Sequence, residues 1–317
     1  MNKKILLIIL ATALLVLSAC EGETTQPSTT GFAGGDKGVE ASFVTNAPPD
    51  RVADAGQEPF TVQVELTNMG EHHVLREDVF VRLRGFSASA FGVTNEDLIA
   101  HPEDDLYPVR KSPDGSIISP PDIPVIFEGF NYQGEEITNV PFTFSAKTCY
   151  NYETIAVSNI CVKENFNDDR PGDLCQVSGR RQVSNSGAPV QVTNIRQAPQ
   201  GRDATSITLS IKQTAKDGGQ VSRPDTECST SQQDEDRVFV SVTGLEEHPG
   251  DQVRCVGLLG GDSSSGFITL TGNEPREISC TVELEDRNLR EETFRVTLGY
   301  DYSIISDTRV EVVPSFE

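Results

Sequence analysis

Residues 78–86, DVFVRLRGF, decide the fold of this chain, because residues 237–245, RVFVSVTGL, repeat their pattern 159 positions later. In both stretches Val or Leu occupies every second position before a glycine. A period of two is typical of a β-strand that is buried on one face. A pattern that recurs along a chain indicates an internal repeat, so we expect two copies of one β domain.

A second pair of segments repeats at a similar distance. Residues 143–146, TFSA, match residues 293–296, TFRV, at an offset of 150. The same offset relates two pairs of tyrosines, Tyr150 and Tyr152 to Tyr300 and Tyr302. Since these tyrosines recur, we expect them to be a packing feature, with each buried hydroxyl bonded to a partner. The drop in offset means that the first copy carries extra residues between its matching segments.

The rest of the chain has the same character. Residues 61–66, TVQVEL, and 206–211, SITLSI, alternate apolar and polar side chains, and Gly, Pro, Asn and Asp separate such runs. No amphipathic helical period is found after the first twenty residues. We therefore predict an all-β fold with two tandem β-sandwich domains, residues 38–165 and 187–317, joined by a linker of residues 166–186.

Repeated domains built from short alternating strands resemble the immunoglobulin-like β-sandwiches of prokaryotic surface proteins, and among these the cell-adhesion-related type. The resemblance covers most of the chain and rests on the strand pattern. The chain has no tryptophan, so the Cys…Trp…Cys core of antibody domains is missing. The resemblance implies the sandwich architecture and a role at the cell envelope.

The first twenty residues predict export and a lipid anchor. A short cationic start precedes the apolar run Ile5–Leu17, which is shorter than the roughly 20 residues of a membrane-spanning helix. The following Leu17-Ser18-Ala19-Cys20 resembles the lipobox of prokaryotic lipoprotein signal peptides. That resemblance implies removal of a signal peptide, residues 1–19, and lipidation of Cys20. The alternatives are an ordinary secretory leader and an uncleaved anchor.

The residues after this leader predict how the protein sits on a membrane. Residues 20–37 are rich in Thr, Gly and Ser, so we expect a flexible tether. The expected location is therefore the extracytoplasmic face of a membrane or the cell surface, with the lipid on Cys20 as the membrane contact.

An even number of further cysteines in an exported chain predicts disulfides. They are Cys149, Cys161, Cys175, Cys228, Cys255 and Cys280. We expect Cys149 and Cys161 to pair across a hairpin that turns at residues 153–157, because the second copy lacks both cysteines at the equivalent positions. Cys255 with Cys280 is the next expected pair, and Cys175 with Cys228 follows by elimination. The last four cysteines allow three connectivities.

The acidic composition limits the partners. The formal net charge is −22 at pH 7, which disfavours binding to nucleic acid. It suits a cationic partner, divalent ions or a salty environment. Acidic and amide side chains crowd the predicted linker, where calcium is the one cofactor we consider. These weak metal candidates are Asn167, Asp168, Asp169 and Asp173. Solvated acidic loops explain them without an ion.

Catalytic motifs are missing from the sequence. His72 and His73 are adjacent, and neighbouring residues of a strand point to opposite faces, so they converge on a metal only within a turn. Residues 261–266, GDSSSG, depart from the Gly-Asp-Ser-Gly-Gly pattern of trypsin-like proteases, and no histidine lies in a matching general-base motif. We therefore expect a protein that is not an enzyme.

The copy-specific segment Ser87–Pro124 is either a recognition loop or an excursion that covers a sheet edge. The expected function is a lipid-anchored spacer, adhesion or envelope-assembly component with a protein or glycan partner. The alternatives are a calcium- or carbohydrate-binding accessory module and a subunit of a surface filament.

Overall fold

Side-chain burial alternates along the strands of this protein, as the sequence pattern predicts. In the strand Phe60–Asn68 every second residue is buried, so one face contributes Phe60, Val62, Val64 and Leu66 to the core. The computed structural model describes residues 31–168, 170, 172–245, 250–272 and 274–315. The predicted signal peptide, Cys20, most of the tether and Asp169 lie outside these residues.

The described residues form an all-β fold, which confirms the predicted class. The first repeat contains β1 Val39–Phe43, β2 Arg51–Ala53, β3 Phe60–Asn68, β4 Val79–Arg84, β5 Ile99–Ala100, β6 Arg110–Lys111, β7 Ile117–Ile118, β8 Ile123–Phe130 and β9 Val140–Val162. Two short 3-10 helices, Arg76–Asp78 and Ala88–Phe91, flank β4.

The remaining strands belong to the linker and the second repeat. They are β10 Gly179–Arg181, β11 Val183–Asn185, β12 Val190–Pro199, β13 Ala204–Gln213, β14 Gln220–Ser222, β15 Arg237–Thr243, β16 Gln252–Val256, β17 Ser265–Thr269, β18 Arg276–Glu283 and β19 Arg290–Val313. Among the described residues we find no helix that is long and apolar enough to cross a membrane.

The strands form two smaller sheets and one large sheet. The smaller sheets have the orders β1-β3-β8 and β10-β12-β13-β18-β16. The large sheet has the order β17-β15-β19-β9-β4-β5, with β11 added to β9 and with β14 and β2 added to β19. β6 and β7 form a separate hairpin. All strand pairs are antiparallel except β2 with β19, which is parallel, and this set of sheets is consistent with β-sandwich packing.

The strand registers agree with the internal repeat. In the first repeat Val81 of β4 lies opposite Thr148 of β9. In the second repeat Val240 of β15 lies opposite Leu298 of β19. These positions are related by the two offsets found in the sequence, 159 and 150. Both copies therefore pair the same two strands in the same register.

The predicted turn at residues 153–157 is wrong. β9 runs straight through it as one strand of 23 residues. Residues 153–157, ETIAV, contain no Gly, Pro, Asn or Asp, and their buried positions continue the alternation of the flanking strand. β-branched residues in that alternation favour an extended strand over a tight turn. Residues 158–162 therefore continue in the same direction and do not pair with the first half of β9.

β9 instead pairs with β19 over its whole length. The pairing is antiparallel and runs from Val140 opposite Val312 to Val162 opposite Arg290. The second half of β19 thus takes the place beside the first half of β9 that the predicted hairpin assigned to residues 158–165. By the same symmetry, the second half of β9 lies beside the first half of β19. The two copies have exchanged their final strands within one chain.

Contacts between the sheets show that the long strands β9 and β19 pack in both sandwiches. The hydroxyl of Tyr150 donates to the Val39 carbonyl, 3.4 Å away, and the hydroxyl of Ser306 donates to the Ala41 carbonyl, so β9 and β19 both face β1. The hydroxyl of Thr154 donates to the Val190 carbonyl at 2.7 Å, so β9 also faces β12. The predicted domain boundaries stay a prediction; by its contacts, Phe32–Glu317 forms one compact unit.

Candidate functional site

The disulfides connect the two repeats differently from the prediction. The bonded pairs are Cys149–Cys228, Cys161–Cys175 and Cys255–Cys280. The last pair is as expected, whereas the Cys149–Cys161 and Cys175–Cys228 pairs are wrong. Cys149 and Cys161 lie on one continuous strand, about 40 Å apart at ~3.3 Å per residue, and cannot bond. Cys149 instead joins β9 of the first repeat to the loop between β14 and β15 of the second.

Four tyrosines fill the junction beneath the paired long strands. Tyr152 lies opposite Tyr300, and Tyr150 lies opposite Tyr302. All four side chains are fully buried. The Tyr300 hydroxyl lies 2.9 Å from the hydroxyl of Thr154 and 3.3 Å from the Val190 N–H, which donates to it. These rings act as packing groups, and burial raises the pKa of each hydroxyl well above its usual value.

The opposite face of the same strands carries a groove. Residues that alternate with the tyrosines point to this face, as Asn151 and Asp301 do from directly opposite positions. The groove has a volume of about 340 Å³. Five acidic residues contribute to its lining, which consists of Glu77, Asp78, Phe80, Arg82, Ile99, His101, Cys149, Asn151, Asp225, Glu227 and Asp301. We name this feature the acidic groove.

Asp301 organises one wall of the acidic groove. Its carboxylate is buried and accepts hydrogen bonds from the backbone N–H groups of Asp225 at 3.1 Å, Thr226 at 2.9 Å and Cys228 at 3.1 Å. The side-chain amide of Asn151 donates to the same carboxylate at 3.0 Å. A loop whose N–H groups converge on one carboxylate resembles a backbone anion nest. The Cys149–Cys228 bond holds this loop against β9.

The backbone of that loop adopts an uncommon conformation. Asp225, Glu227 and Cys228 have φ values of 61°, 54° and 53°. Left-handed conformations cost free energy for residues other than glycine, so the surrounding contacts must hold them in place. The carboxylate of Asp301 and the disulfide at Cys228 are the contacts that do so. Asp225 and Glu227 are thereby fixed on the rim of the acidic groove.

The electrostatics of the acidic groove favour a positive charge. Partial burial and the neighbouring carboxylates Glu77, Asp225 and Asp301 raise the pKa of Asp78. The cationic Arg82 lies over the Phe80 ring at 5.7 Å. His101 contacts the Val79 carbonyl through Nδ1 at 2.8 Å. Chemically, the groove offers charge and hydrogen-bond acceptors, and its lining includes no serine or threonine nucleophile.

Two of the predicted calcium candidates, Asp168 and Asp173, are paired with basic side chains of the protein. Lys163 donates to the Asp173 carboxylate at 2.8 Å and to the Asp168 carbonyl at 3.0 Å. The guanidinium of Arg170 binds the Asp168 carboxylate, with Nε 2.8 Å from one oxygen. The bond from Lys163 lowers the pKa of Asp173. An ammonium group thus lies among these acids where the sequence suggested an ion. The Asn167 N–H donates to the Asn165 side-chain oxygen at 3.1 Å, within the local turn.

The two adjacent histidines have different surroundings. The His72 ring packs edge-on against Tyr152 with centroids 5.2 Å apart, and burial lowers its pKa to about 4. The His73 ring stacks on Tyr107 at 5.1 Å, and its Nε2 lies 3.2 Å from the Asp105 carboxylate. Within the described residues, the one cluster with metal-ligand spacing is Cys149, Cys228 and Asp301. Its two sulfurs are already bonded to each other.

The copy-specific segment Ser87–Pro124 mostly covers the first sandwich. Phe91 and Leu106 are buried in the core, and β5 pairs with the outer edge of β4. Tyr107, Ile117 and Ile118 remain exposed. Residues 261–266 form a turn in which the Asp262 carboxylate accepts the N–H groups of Ser264 and Ser265.

Sequence reasoning missed the acidic groove because its lining residues come from five separate segments: 77–82, 99–101, 149–151, 225–227 and Asp301. Glu77 and Asp78, Asn151, Asp225 and Glu227, and Asp301 meet only after β9 and β19 pair. One feature of the sequence could have indicated the groove: Asn151 and Asp301 are equivalent in the repeat, and each lies between two repeated tyrosines. No family model matches this chain, and the comparison with curated proteins found no match.

Proposed function

We propose that this protein is a non-enzymatic, lipid-anchored protein of the cell envelope that acts as a stiff spacer and presents surfaces to a partner. The observation that carries the proposal is the pairing of β9 with β19 through both sandwiches. Disulfides are compatible with an extracytoplasmic protein. The anchor on Cys20 and the tether over residues 20–37 are parts of the proposal that rest on the leader sequence.

The shared strands give the proposed spacer its mechanical property. A strand of 23 residues extends about 75 Å at ~3.3 Å per residue. Bending between the sandwiches would break its pairing with β19, whereas domains joined by a linker bend at little cost. The Cys149–Cys228 bond adds a covalent connection between the repeats. A spacer with these features holds its shape under load and keeps its surfaces at a fixed orientation.

Solution scattering on residues 32–317 tests the stiffness. We expect a curve that the single compact unit reproduces, and the same curve after the Cys149→Ser/Cys228→Ser change, because the β9–β19 pairing remains. A curve that requires a mixture of bent shapes would overturn the spacer proposal.

Membrane fractionation tests the anchor. Full-length protein expressed in a bacterium should enter the membrane fraction, and Cys20→Ala should move it to the soluble exported fraction. Ser18→Thr is the matched control, because it keeps the acylated thiol. Membrane association of a Cys20→Ala protein whose leader is shown by mass spectrometry to be removed would eliminate the lipid from the proposal.

The acidic groove favours a second candidate, a calcium-binding accessory. Asp78, Asp225 and Glu227 place several carboxylates around one concave surface, as oxygen-rich calcium sites require. Calorimetry with calcium should then give a saturable heat that Asp225→Asn/Glu227→Gln removes and Asp168→Asn leaves. No saturable heat at millimolar calcium would eliminate this candidate and leave the spacer proposal unaffected.

A further inference from the structure

The large sheet has a gap on one side of β19. β14 pairs with residues 301–303 and β2 pairs with residues 311–313. Between them, residues 304–310 pair with β9 on one side. On the other side, no described residue forms a strand against them. Among the described residues, the seven residues 304–310 therefore have no strand on this side, although β19 is paired there immediately before and after them.

The backbone of this edge is directed into the gap. The Glu311 N–H donates to the Asp50 carbonyl at 2.8 Å, on the side away from β9. Backbone groups of a strand alternate between its two neighbours, so every second residue points the same way. Ile305, Asp307 and Arg309 therefore direct their N–H and C=O groups into the gap. In the part of the chain that the structure describes, no hydrogen bond is found for these groups across the gap.

A groove of about 490 Å³ runs beside this edge. Residues 304–306 form one wall and β1 forms another. The charged lining side chains are four acids and two lysines, namely Asp36, Glu40, Glu65, Asp217, Lys37 and Lys216. Ile305 is 49% exposed there. Lys37 is paired with Glu40. The groove thus combines an apolar side chain and free backbone groups with an excess of negative charge.

In the second sandwich, a short strand occupies the position equivalent to the gap. β11 pairs with β9, and Val183 lies opposite Ser158 while Asn185 lies opposite Ala156. The repeat offset of 150 carries these two positions of β9 to Ser306 and Thr308 of β19. A short extended segment therefore completes the sheet in one copy, and the equivalent place in the other copy is the gap.

The segment that precedes β1 lies elsewhere. The Ala33 and Gly34 N–H groups donate to the Glu71 carboxylate at 2.8 and 2.9 Å. The Gly35 carbonyl accepts from the Ala188 N–H at 3.3 Å. These contacts hold residues 33–35 between Glu71 of the first repeat and Ala188 of the second, away from the gap. The first copy does not fill its gap with the segment that corresponds to β11.

We propose that the gap beside β19 binds an extended, basic segment of a partner protein by β-strand addition. Backbone hydrogen bonds to Ile305, Asp307 and Arg309 supply the pairing, and the acids of the groove select Lys or Arg in the added strand. An apolar residue opposite Ile305 and a cation opposite Asp307 complete the match. This inference deepens the proposed presentation of surfaces to a partner and rests on it.

The probe is a heptapeptide of alternating lysine and valine with blocked ends. Binding to the intact body, residues 32–317, is followed by fluorescence anisotropy and by residue-resolved amide hydrogen exchange. We expect saturable binding and at least about tenfold slower exchange of the Ile305, Asp307 and Arg309 amides. The same peptide with N-methyl groups on alternate amides keeps its charge and loses its backbone donors, so it should not protect these amides.

Two variants at one position separate backbone pairing from charge. Asp307→Pro removes the N–H that faces the gap and keeps the pairing with β9, since proline is tolerated on a sheet edge. Asp307→Asn removes the charge and keeps the N–H. We expect the proline variant to abolish amide protection at Ile305 and Arg309 and the asparagine variant to retain it with weaker binding. Thermal unfolding of both variants checks that they fold.

Equal binding of the methylated and unmethylated peptides, or binding without protection of the three amides, would show attraction to the acidic surface only and would overturn the proposal. Absence of saturable binding would overturn it as well. Loss of binding in Asp225→Asn/Glu227→Gln would place the peptide in the acidic groove instead. None of these outcomes changes the scattering curve, so the spacer proposal is judged separately.

Discussion

Tyr152 on β9 lies opposite Tyr300 on β19, with ring centroids 6.3 Å apart, although the two residues come from different repeats. Asn151 and Asp301, which the repeat makes equivalent, also lie opposite each other. A strand that pairs antiparallel with its own copy about one central position forms a two-fold symmetric interface. The junction of this protein is thus the intramolecular form of a symmetric dimer interface.

The hydroxyl partners of the tyrosines follow the same symmetry. The Tyr152 hydroxyl lies 3.3 Å from the Asn68 side-chain oxygen at the end of β3. The Tyr302 hydroxyl accepts from the Gln213 amide at 3.0 Å, at the end of β13, and donates to Asp217 at 2.7 Å. The equivalent tyrosines Tyr152 and Tyr302 are therefore both hydrogen-bonded, but to different polar residues in the two copies.

Alkaline titration should separate the buried tyrosines from exposed phenols. Burial raises the pKa of Tyr150, Tyr152, Tyr300 and Tyr302, so these hydroxyls should stay protonated while the protein is folded. Because the same tyrosines ionise near pH 10 in the unfolded chain, stability is present below that pH and is lost as the pH rises above it. Absorbance at 295 nm should rise for these four only with unfolding; their ionisation near pH 10 in folded protein would contradict the burial.

Removal of the buried Tyr302 hydroxyl should lower the free energy of unfolding. Tyr302→Phe leaves Gln213 and Asp217 without their shared partner, and we expect a loss of about 1–2 kcal/mol in the free energy of unfolding. Tyr107→Phe is the control, since Tyr107 is 42% exposed. Equal denaturation midpoints for the two variants would argue against the hydrogen bonds at Tyr302.

A glycine beside the same ring should resist substitution. A Cβ atom at Gly219 would overlap the Tyr302 ring, whereas one at Gly299 meets open space. We expect Gly219→Ala to cost about 1–3 kcal/mol, in the range of overpacked cores, and Gly299→Ala to be close to neutral. Chemical denaturation of both variants measures the difference, and a neutral Gly219→Ala would mean that the loop before β14 shifts freely.

His72 should make the protein sensitive to mild acid. Its pKa is lowered to about 4 by burial, against 6.5 for an ordinary histidine. The unfolded chain therefore takes up a proton first, and stability is lost as the pH falls from about 6.5 to about 4, by roughly 1–3 kcal/mol. Denaturation at several pH values should show a shallower slope for His72→Gln. His73→Gln keeps His72 and should keep the slope; an identical slope in all three proteins would exclude His72 as its source.

The Cys149–Cys228 bond should stabilise the fold more than the local bridge of the second repeat. It closes a sequence separation of 79 residues, compared with 25 for Cys255–Cys280. A longer closed loop restricts the unfolded chain more, so we expect Cys149→Ser/Cys228→Ser to cost about 2–4 kcal/mol and the shorter bridge to cost less. Non-reducing peptide mapping should recover the three bonded pairs, and a Cys149–Cys161 peptide would contradict the exchanged strands.

The amino-acid sequence by itself determined the strands and their repetition. A period of two, punctuated by turn residues, is a local property, so the all-β class and the core positions of β4 and β15 follow from residues 78–86 and 237–245 alone. The burial of the repeated tyrosines followed from the same comparison, because a side chain that packs in one copy packs at the equivalent place in the other.

The tertiary structure alone decided which strand pairs with which. The absence of turn residues in 153–157 is a local argument against a hairpin, but the alternation of buried positions does not say which distant strand lies beside β9. The choice depends on an extended segment of residues 153–157 that does not turn and on a partner strand more than a hundred residues away. The disulfide pairs, the convergence of Asp225 with Asp301 and the gap beside β19 all follow from that one long-range pairing.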